Sequence, residues 1–234
     1  MCSIVLNLTE AGVFIAANRD EMVARPWAAP AEYWPGIVGG RDALAGGTWM
    51  AINRAGVMAA VLNRHGSLGP AAGKRSRGEL PLLALGHNTA EQAATAMAAL
   101  DAGAYRSFNL VLADARGAFW LRGLEAGRPE PAALAPGVTM LTSGEPNDVL
   151  LPRIARHLPI FSTAPFTAWG GLLADGAPPR ERALNVPEQN GFGTVCASLL
   201  ALPRKGAPEW RFAAGPPDRA AFERVQLPWS IPPC

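Results

Sequence analysis

The strand-like runs of this sequence come in adjacent pairs, and that order constrains the fold more than any other feature. Ser3–Leu8 and Val13–Asn18 are rich in β-formers and are joined by Thr9-Glu10-Ala11-Gly12. Thr48–Asn53 and Val57–Asn63 flank Arg54-Ala55-Gly56, and Phe108–Ala113 and Ala118–Arg122 flank Asp114-Ala115-Arg116-Gly117. Short glycine-bearing connections close antiparallel hairpins, whereas parallel neighbours need a crossover of about a dozen residues or more. A doubly wound parallel sheet is therefore excluded, because it needs alternating strands and helices.

Helical signals fall between the hairpins. Ser76-Arg77-Gly78-Glu79 has the S-x-x-E form of a capping box and precedes the apolar Leu80–Leu85, so a helix is predicted to begin at Ser76. Thr89 and Glu91 open a second, alanine-rich helix that should reach about Leu100. Val149–His157 and Ala164–Leu173 are the later helical candidates, and Thr194–Leu202, Glu209–Ala213 and Ala221–Val225 close the chain as strands. Arg25–Gly36, dense in proline and tryptophan, is expected to be irregular. With no linker, repeat or composition shift, the 234 residues are expected to form one α+β domain, two stacked, mostly antiparallel sheets covered by helices.

Composition narrows the function classes. A chain with 49% hydrophobic and 17% charged residues folds rather than staying disordered. Its 21 basic and 19 acidic residues leave a net charge of +2, and Lys74, Arg75 and Arg77 are the one tight basic cluster, so no nucleic-acid partner is expected. Runs such as Ala197–Leu202 are far shorter than the ~20 residues that span a bilayer, so no integral membrane association is expected. The N-terminus lacks a basic region, and Asn7, Thr9 and Glu10 break its apolar stretch, unlike a secretory leader. Cys2, Cys196 and Cys234 are odd in number and widely spaced, which fits a reducing, cytoplasmic setting. His65, His87 and His157 lack metal-ligand spacing, so no metal and no required cofactor are predicted.

Two features could carry chemistry. Removal of Met1 would give Cys2 a free α-amine, whose pKa of ~7.7–8.0 suits it to activate its own thiol, although by position alone a cysteine at a strand start is more often a small core hydrophobe. Asn18-Arg19-Asp20-Glu21 follows the apolar end of the second strand. Period-two alternation puts Asn18 and Asp20 on one face and Arg19 and Glu21 on the other. The expectation is that Asp20 or Asn18 approaches Cys2 more closely than Arg19 does. Trp49 could stack on a flat ligand, Cys196 should be core, and Trp27, Tyr33 and Trp34 form an aromatic cluster.

Met1-Cys2, Asn18-Arg19-Asp20-Glu21, Arg25-Pro26, Gly46-Gly47-Thr48-Trp49, Asn63, Ser76-Arg77-Gly78-Glu79-Leu80, Phe108-Asn109-Leu110 and Gly191-Phe192-Gly193-Thr194 occur in order along the chain. In these motifs it resembles the NRDE family, also called the transport and Golgi organisation family. That resemblance implies a cytoplasmic or mitochondrial protein that handles haem as cargo, or an acyl-CoA or lipid. The implied ligand-binding residues are Asn18, Arg19, Glu21, Arg25, Trp49, Arg77 and Asn109, with Arg19, Arg25 and Arg77 as a cationic rim. More distantly, the chain is similar to the choloylglycine-hydrolase and penicillin-acylase branch of N-terminal-nucleophile enzymes, which implies a four-layer αββα sandwich. In that alternative Cys2 attacks an amide or acyl-thioester, Asp20 holds the α-amine and Asn63 helps to form the oxyanion hole. The chain departs from that branch at Ala17, where the hydrolases carry an arginine, at Ser143, where they carry a second asparagine, and at Val195, with no clear counterpart to the late arginine. Arg19 would have to serve from the opposite face.

Overall fold

The computed structural model describes residues 2–229. Thirteen strands form two antiparallel sheets among these residues. In chain order they are β1 (Ser3–Thr9), β2 (Gly12–Met22), β3 (Trp27–Trp34), β4 (Ile37–Asp42), β5 (Thr48–Asn53), β6 (Met58–Asn63), β7 (Phe108–Ala113), β8 (Ala118–Gly123), β9 (Glu130–Ala133), β10 (Gly137–Leu141), β11 (Phe192–Pro203), β12 (Glu209–Ala213) and β13 (Phe222–Arg224). One sheet has the order β10-β1-β2-β11-β12-β13, the other runs β3 to β9 in sequence. The three sequence-predicted hairpins are β1/β2, β5/β6 and β7/β8.

Alternating side chains sort each sheet into two faces. Ile4, Leu6, Val13 and Ile15 of one sheet meet Met50, Ile52, Met58 and Val111 of the other in a buried layer between the sheets. Ala59, Leu110 and Leu112 turn outward to Leu80, Ala84, Ala93 and Met97 of the helices α1 (Leu80–Ala84) and α2 (Ala90–Met97). On the other side, Val5, Ala16 and Ala197 meet Ile154, Phe161, Trp169 and Leu173 of α3 (Pro152–Thr163) and α4 (Trp169–Leu173). The result is the αββα sandwich. No helix among the described residues is long and apolar enough to cross a membrane.

Several boundaries differ from expectation for identifiable reasons. Arg25–Gly36 contains β3, an edge strand whose Pro30 costs little because an edge leaves N–H groups unpaired, and whose pairing with β4 is bulged twice. Its residues are largely exposed on both faces, so no alternation marks it. Ser76 does cap, accepting from the Gly78 N–H, but it starts a single 3₁₀ turn, and α1 follows with Pro81 in its first turn. Thr89 caps α2 through the Gln92 N–H, and α2 ends at Met97. α3 starts at Pro152, three residues later than predicted, and continues to Thr163.

Two motifs that are distant in sequence meet as backbone. A Cβ on Gly47 would lie 2.5 Å from the Gly78 carbonyl carbon and oxygen, so the chain crossing there requires glycine. Gly47→Ala should cost ~1–3 kcal/mol, read as a lower urea midpoint at unchanged slope. Gly117→Ala, with nothing within 4 Å of its Cβ, should stay within about 0.5 kcal/mol of the parent.

Candidate functional site around Cys2

The β1/β2 register pairs Ser3 with Asn18 and Ile4 with Ala17, and directly opposed residues share a face. Ile4, Leu6 and Ile15 point between the sheets, so Cys2, Ala17 and Arg19 continue that inner face, while Ser3, Asn18 and Asp20 point outward to α3 and α4. This corrects the expected faces, although the expected close approach of Asp20 to Cys2 holds through its main chain. The Asn18 and Asp20 side chains lie across the sheet from the Cys2 side chain, and Arg19 shares its face. Asp20 still meets the thiol through main chain: its N–H donates to Cys2 Sγ at 3.4 Å, and the thiol lies 3.6 Å from its carbonyl oxygen. Ala17 and Arg19 also share a face, so Arg19 does not act from the opposite side to the position it would replace.

On the inner face, Cys2, Arg19, Trp49, Met50, Leu62 and Cys196 line a cavity whose free space, about 20 Å³, suits a single water-sized group. A bulge in β5 opposite Gly40 lets the consecutive Trp49 and Met50 both reach it. The Trp49 ring passes against Gly40, where a Cβ would stand 2.2 Å from the indole, and its face carries the Arg19 guanidinium at 4.4 Å. Arg19 is 5% exposed; its Nη2 lies 3.6 Å from Glu21 Oε2, and its Nη1 has no hydrogen-bond partner among the described residues. Glu21 continues to Arg25 at 3.8 Å, and Arg25 Nη2 binds Asp42 Oδ2 at 2.8 Å.

Burial pushes the Cys2 thiol above its ordinary range, and the negative charge of Asp20 adds to this, while the Arg19 charge opposes it. Cys196, paired with Arg19 from the β11 side, is also pushed up by burial. It packs with Val195 and Phe212 as core.

On the outer face, the fully buried Asp20 carboxylate accepts from Thr194 Oγ1 at 2.7 Å and from Arg153 Nη1 at 3.1 Å. Arg153 also donates to Ser3 Oγ at 2.8 Å, and Thr194 Oγ1 accepts from the Val186 N–H. Sequence reasoning missed Arg153. It stands on α3 beside Ile154, and a buried arginine in an apolar-facing turn is a signal only once the carboxylate it meets is known. Asn18 ties the same layer together, with Nδ2 donating to the Leu173 and Leu184 carbonyls.

The remaining predicted residues are placed as follows. Asn63 ends β6 opposite Phe108, continuing the outward face of Ala59 and Val61, and does not line the cavity. Asn109 is fully engaged: Oδ1 accepts from Trp120 Nε1 and Arg64 Nη1, and Nδ2 donates to the Thr142 and Gly144 carbonyls. It clasps the two sheets. Arg77 donates to Ser67, Ser107 and Gly69, and burial, with Arg106 nearby, lowers its pKa to about 10. Cys2 and Glu21 lie near enough to raise it slightly, so Arg19, Arg25 and Arg77 gather at one end of the sandwich. Ser143 is buried, and its carbonyl accepts from the His65 N–H. Trp27 meets Trp49 and Phe212 edge-on, each at 5.9 Å, whereas Tyr33 and Trp34 pair with each other at the far end of β3. No group of three or more potential metal ligands occurs among the described residues.

A family model, Transport and Golgi organisation 2, matches residues 1–164, which carry Cys2, the Asn18–Glu21 run, the Gly47–Gly78 crossing and Asn109. The chain belongs to the transport and Golgi organisation 2 family. No curated protein matches it. Among solved structures, it is similar to a Caenorhabditis elegans N-acylethanolamine-hydrolyzing acid amidase ortholog at 12% identity and a TM-score of 0.59, covering 86% of this chain and 92% of that one. It is also similar to penicillin V acylase from Agrobacterium tumefaciens, at 15% identity and a TM-score of 0.51 over 92% and 83% of the two chains. A C2A mutant of the Clostridium perfringens conjugated bile acid hydrolase aligns at 11% identity and a TM-score of 0.54 over 97% of both. At such identities the likeness is one of fold, that of N-terminal-nucleophile hydrolases.

Asp20→Ala removes the carboxylate from a buried ion pair and should cost ~3–5 kcal/mol, seen in urea unfolding. For Cys2, the raised thiol pKa predicts that alkylation by iodoacetamide climbs with pH along a curve centred above ~8.5, the value for a free cysteine. Arg19→Gln removes a charge that favours the thiolate and should move that midpoint higher still.

Proposed function

We propose that this protein is a hydrolase that attacks an amide or acyl-thioester carbonyl with the sulfur of Cys2. The observation that carries this reading is the two-sided setting of the β1 start. The thiol faces a cavity under a buried guanidinium, and directly across the sheet a fully buried carboxylate is held by Thr194 and Arg153. With Met1 removed, the α-amine of Cys2 takes the thiol proton and the sulfur adds to the carbonyl carbon. Collapse of the adduct breaks the bond to the leaving nitrogen or sulfur, which departs with that proton. Water then cleaves the acyl-thioester. The Asp20 carboxylate suits the role of holding the protonated amine, as the fold relationship implies. We place this activity in the cytoplasm, on the odd, widely spaced cysteines.

A groove favours a second reading, handling of haem or an acyl-CoA-like ligand as cargo. The cavity at Cys2 is far too small for either. Between the β3 edge and β12–β13, however, Pro30, Ala31, Phe212, Ala221, Val225 and Pro228 line a groove of about 540 Å³, within the ~300–1,000 Å³ usual for small-molecule sites. Phe212 joins it to the Trp27–Trp49 pair over Arg19.

Cys2→Ala decides between the two. The hydrolase reading expects release of product from acyl-amide or acyl-thioester substrates by the parent and none by the variant, at equal thermal stability. Cargo handling expects turnover by neither and micromolar haem or acyl-CoA binding by both, in a Soret or fluorescence titration.

A further inference from the structure

Resting on the nucleophile reading, we propose that Arg19 supplies the oxyanion donor in this chain, taking a role that the fold relationship assigns to asparagine. A carbonyl attacked by Cys2 Sγ from the inner cavity must develop its negative oxygen in that cavity. The donor is therefore to be sought among the polar hydrogens of the inner face. Asn63 is on the outer face, and Asn109 has both amide hydrogens and its oxygen engaged. Arg77 is committed to carbonyl and hydroxyl oxygens, and the Asp20 N–H already points at the sulfur. Arg19 Nη1 is buried, lacks a partner among the described residues, and belongs to a side chain that lines the cavity with Cys2.

Its placement is also rigid. The guanidinium lies on the Trp49 face, Gly40 leaves the space that the indole fills, and Glu21 Oε2 stands 3.6 Å from Nη2. A buried charge fixed in this way needs no reorganisation as the oxyanion forms. In the ground state the same charge favours the thiolate, so one residue serves both the attack and its product.

The two roles separate experimentally, because acylation passes through an oxyanion and alkylation does not. Each rate constant should be taken at its high-pH plateau, which removes the effect of the thiol pKa. In Arg19→Gln, acylation of Cys2 by p-nitrophenyl butyrate, followed by p-nitrophenol release and intact mass, should fall ~10²–10³-fold, while iodoacetamide alkylation changes less than about threefold. Arg19→Lys, which keeps the charge without the planar fork, should recover at least about tenfold of the acylation rate and carries the test if Arg19→Gln unfolds. Equal losses in both reactions, or no loss in acylation, overturn the proposal while leaving the nucleophile intact. An unmodified protein that neither acquires an acyl adduct nor releases p-nitrophenol from the ester overturns the nucleophile reading, and this assignment with it.

Discussion

A two-residue turn sets the chemistry of this molecule. Thr9 pairs with Gly12, so only Glu10 and Ala11 lie outside the ladder, and that count fixes every later pair up to Ser3 and Asn18. Gly12 takes a φ of +140° and would bring a Cβ to 2.3 Å from the Leu202 carbonyl oxygen, so the turn is also pinned against β11. A slip of one residue would exchange the faces of β2 relative to β1. Arg19 would then face the helices, and Asp20 would enter the apolar space between the sheets.

The consequence is a division of labour within four consecutive residues. Asn18 and Asp20 face outward, where Asn18 Nδ2 and the Asp20 carboxylate bond to α3, α4 and the approach to β11. Arg19 and Glu21 face inward, where a β5 bulge brings Trp49 under the guanidinium and a β11 bulge at Val195 lets Thr194 reach Asp20 while Cys196 faces the cavity. The anchoring half is rich in satisfied hydrogen bonds. The inward half holds a charge whose Nη1 has no hydrogen-bond partner among the described residues. A buried polar group without a partner costs free energy, so its persistence in a well-packed layer requires either rigid enforcement or a ligand. The Trp49–Gly40 packing supplies the first, and the chemistry proposed for Cys2 supplies the second.

Much of this fold was legible in the sequence because its hairpins are local. Turn residues and β-formers lie within a dozen residues of one another in β1/β2, β5/β6 and β7/β8, and Ser76 and Thr89 announce their caps. The edge strands β3 and β9 were silent because exposure on both faces erases the period-two pattern. The site was legible in membership but not in orientation. Alternation sorts Asn18 with Asp20 and Arg19 with Glu21, yet the face that Cys2 shares depends on the parity of the turn count, which residue types do not encode. Arg153 was invisible for a related reason: its partner Asp20 lies 133 residues earlier in the chain.

The same geometry reassigns what several motif residues do. Gly47 and Gly78 belong to motifs about thirty residues apart, and they are small because two backbones cross there. Asn109 spends all four of its hydrogen-bonding positions on β8 and the segments after β6 and β10, and Arg77 gathers the loop carbonyls of Ser67, Gly69 and Ser107. These residues surround the Cys2 end without leaving a donor free toward it. A side chain that has committed its hydrogen bonds to the scaffold can bind a ligand only by breaking them, at ~1–3 kcal/mol for each group stranded. Arg19 faces no such cost at Nη1, and this separates it from Asn109 and Arg77.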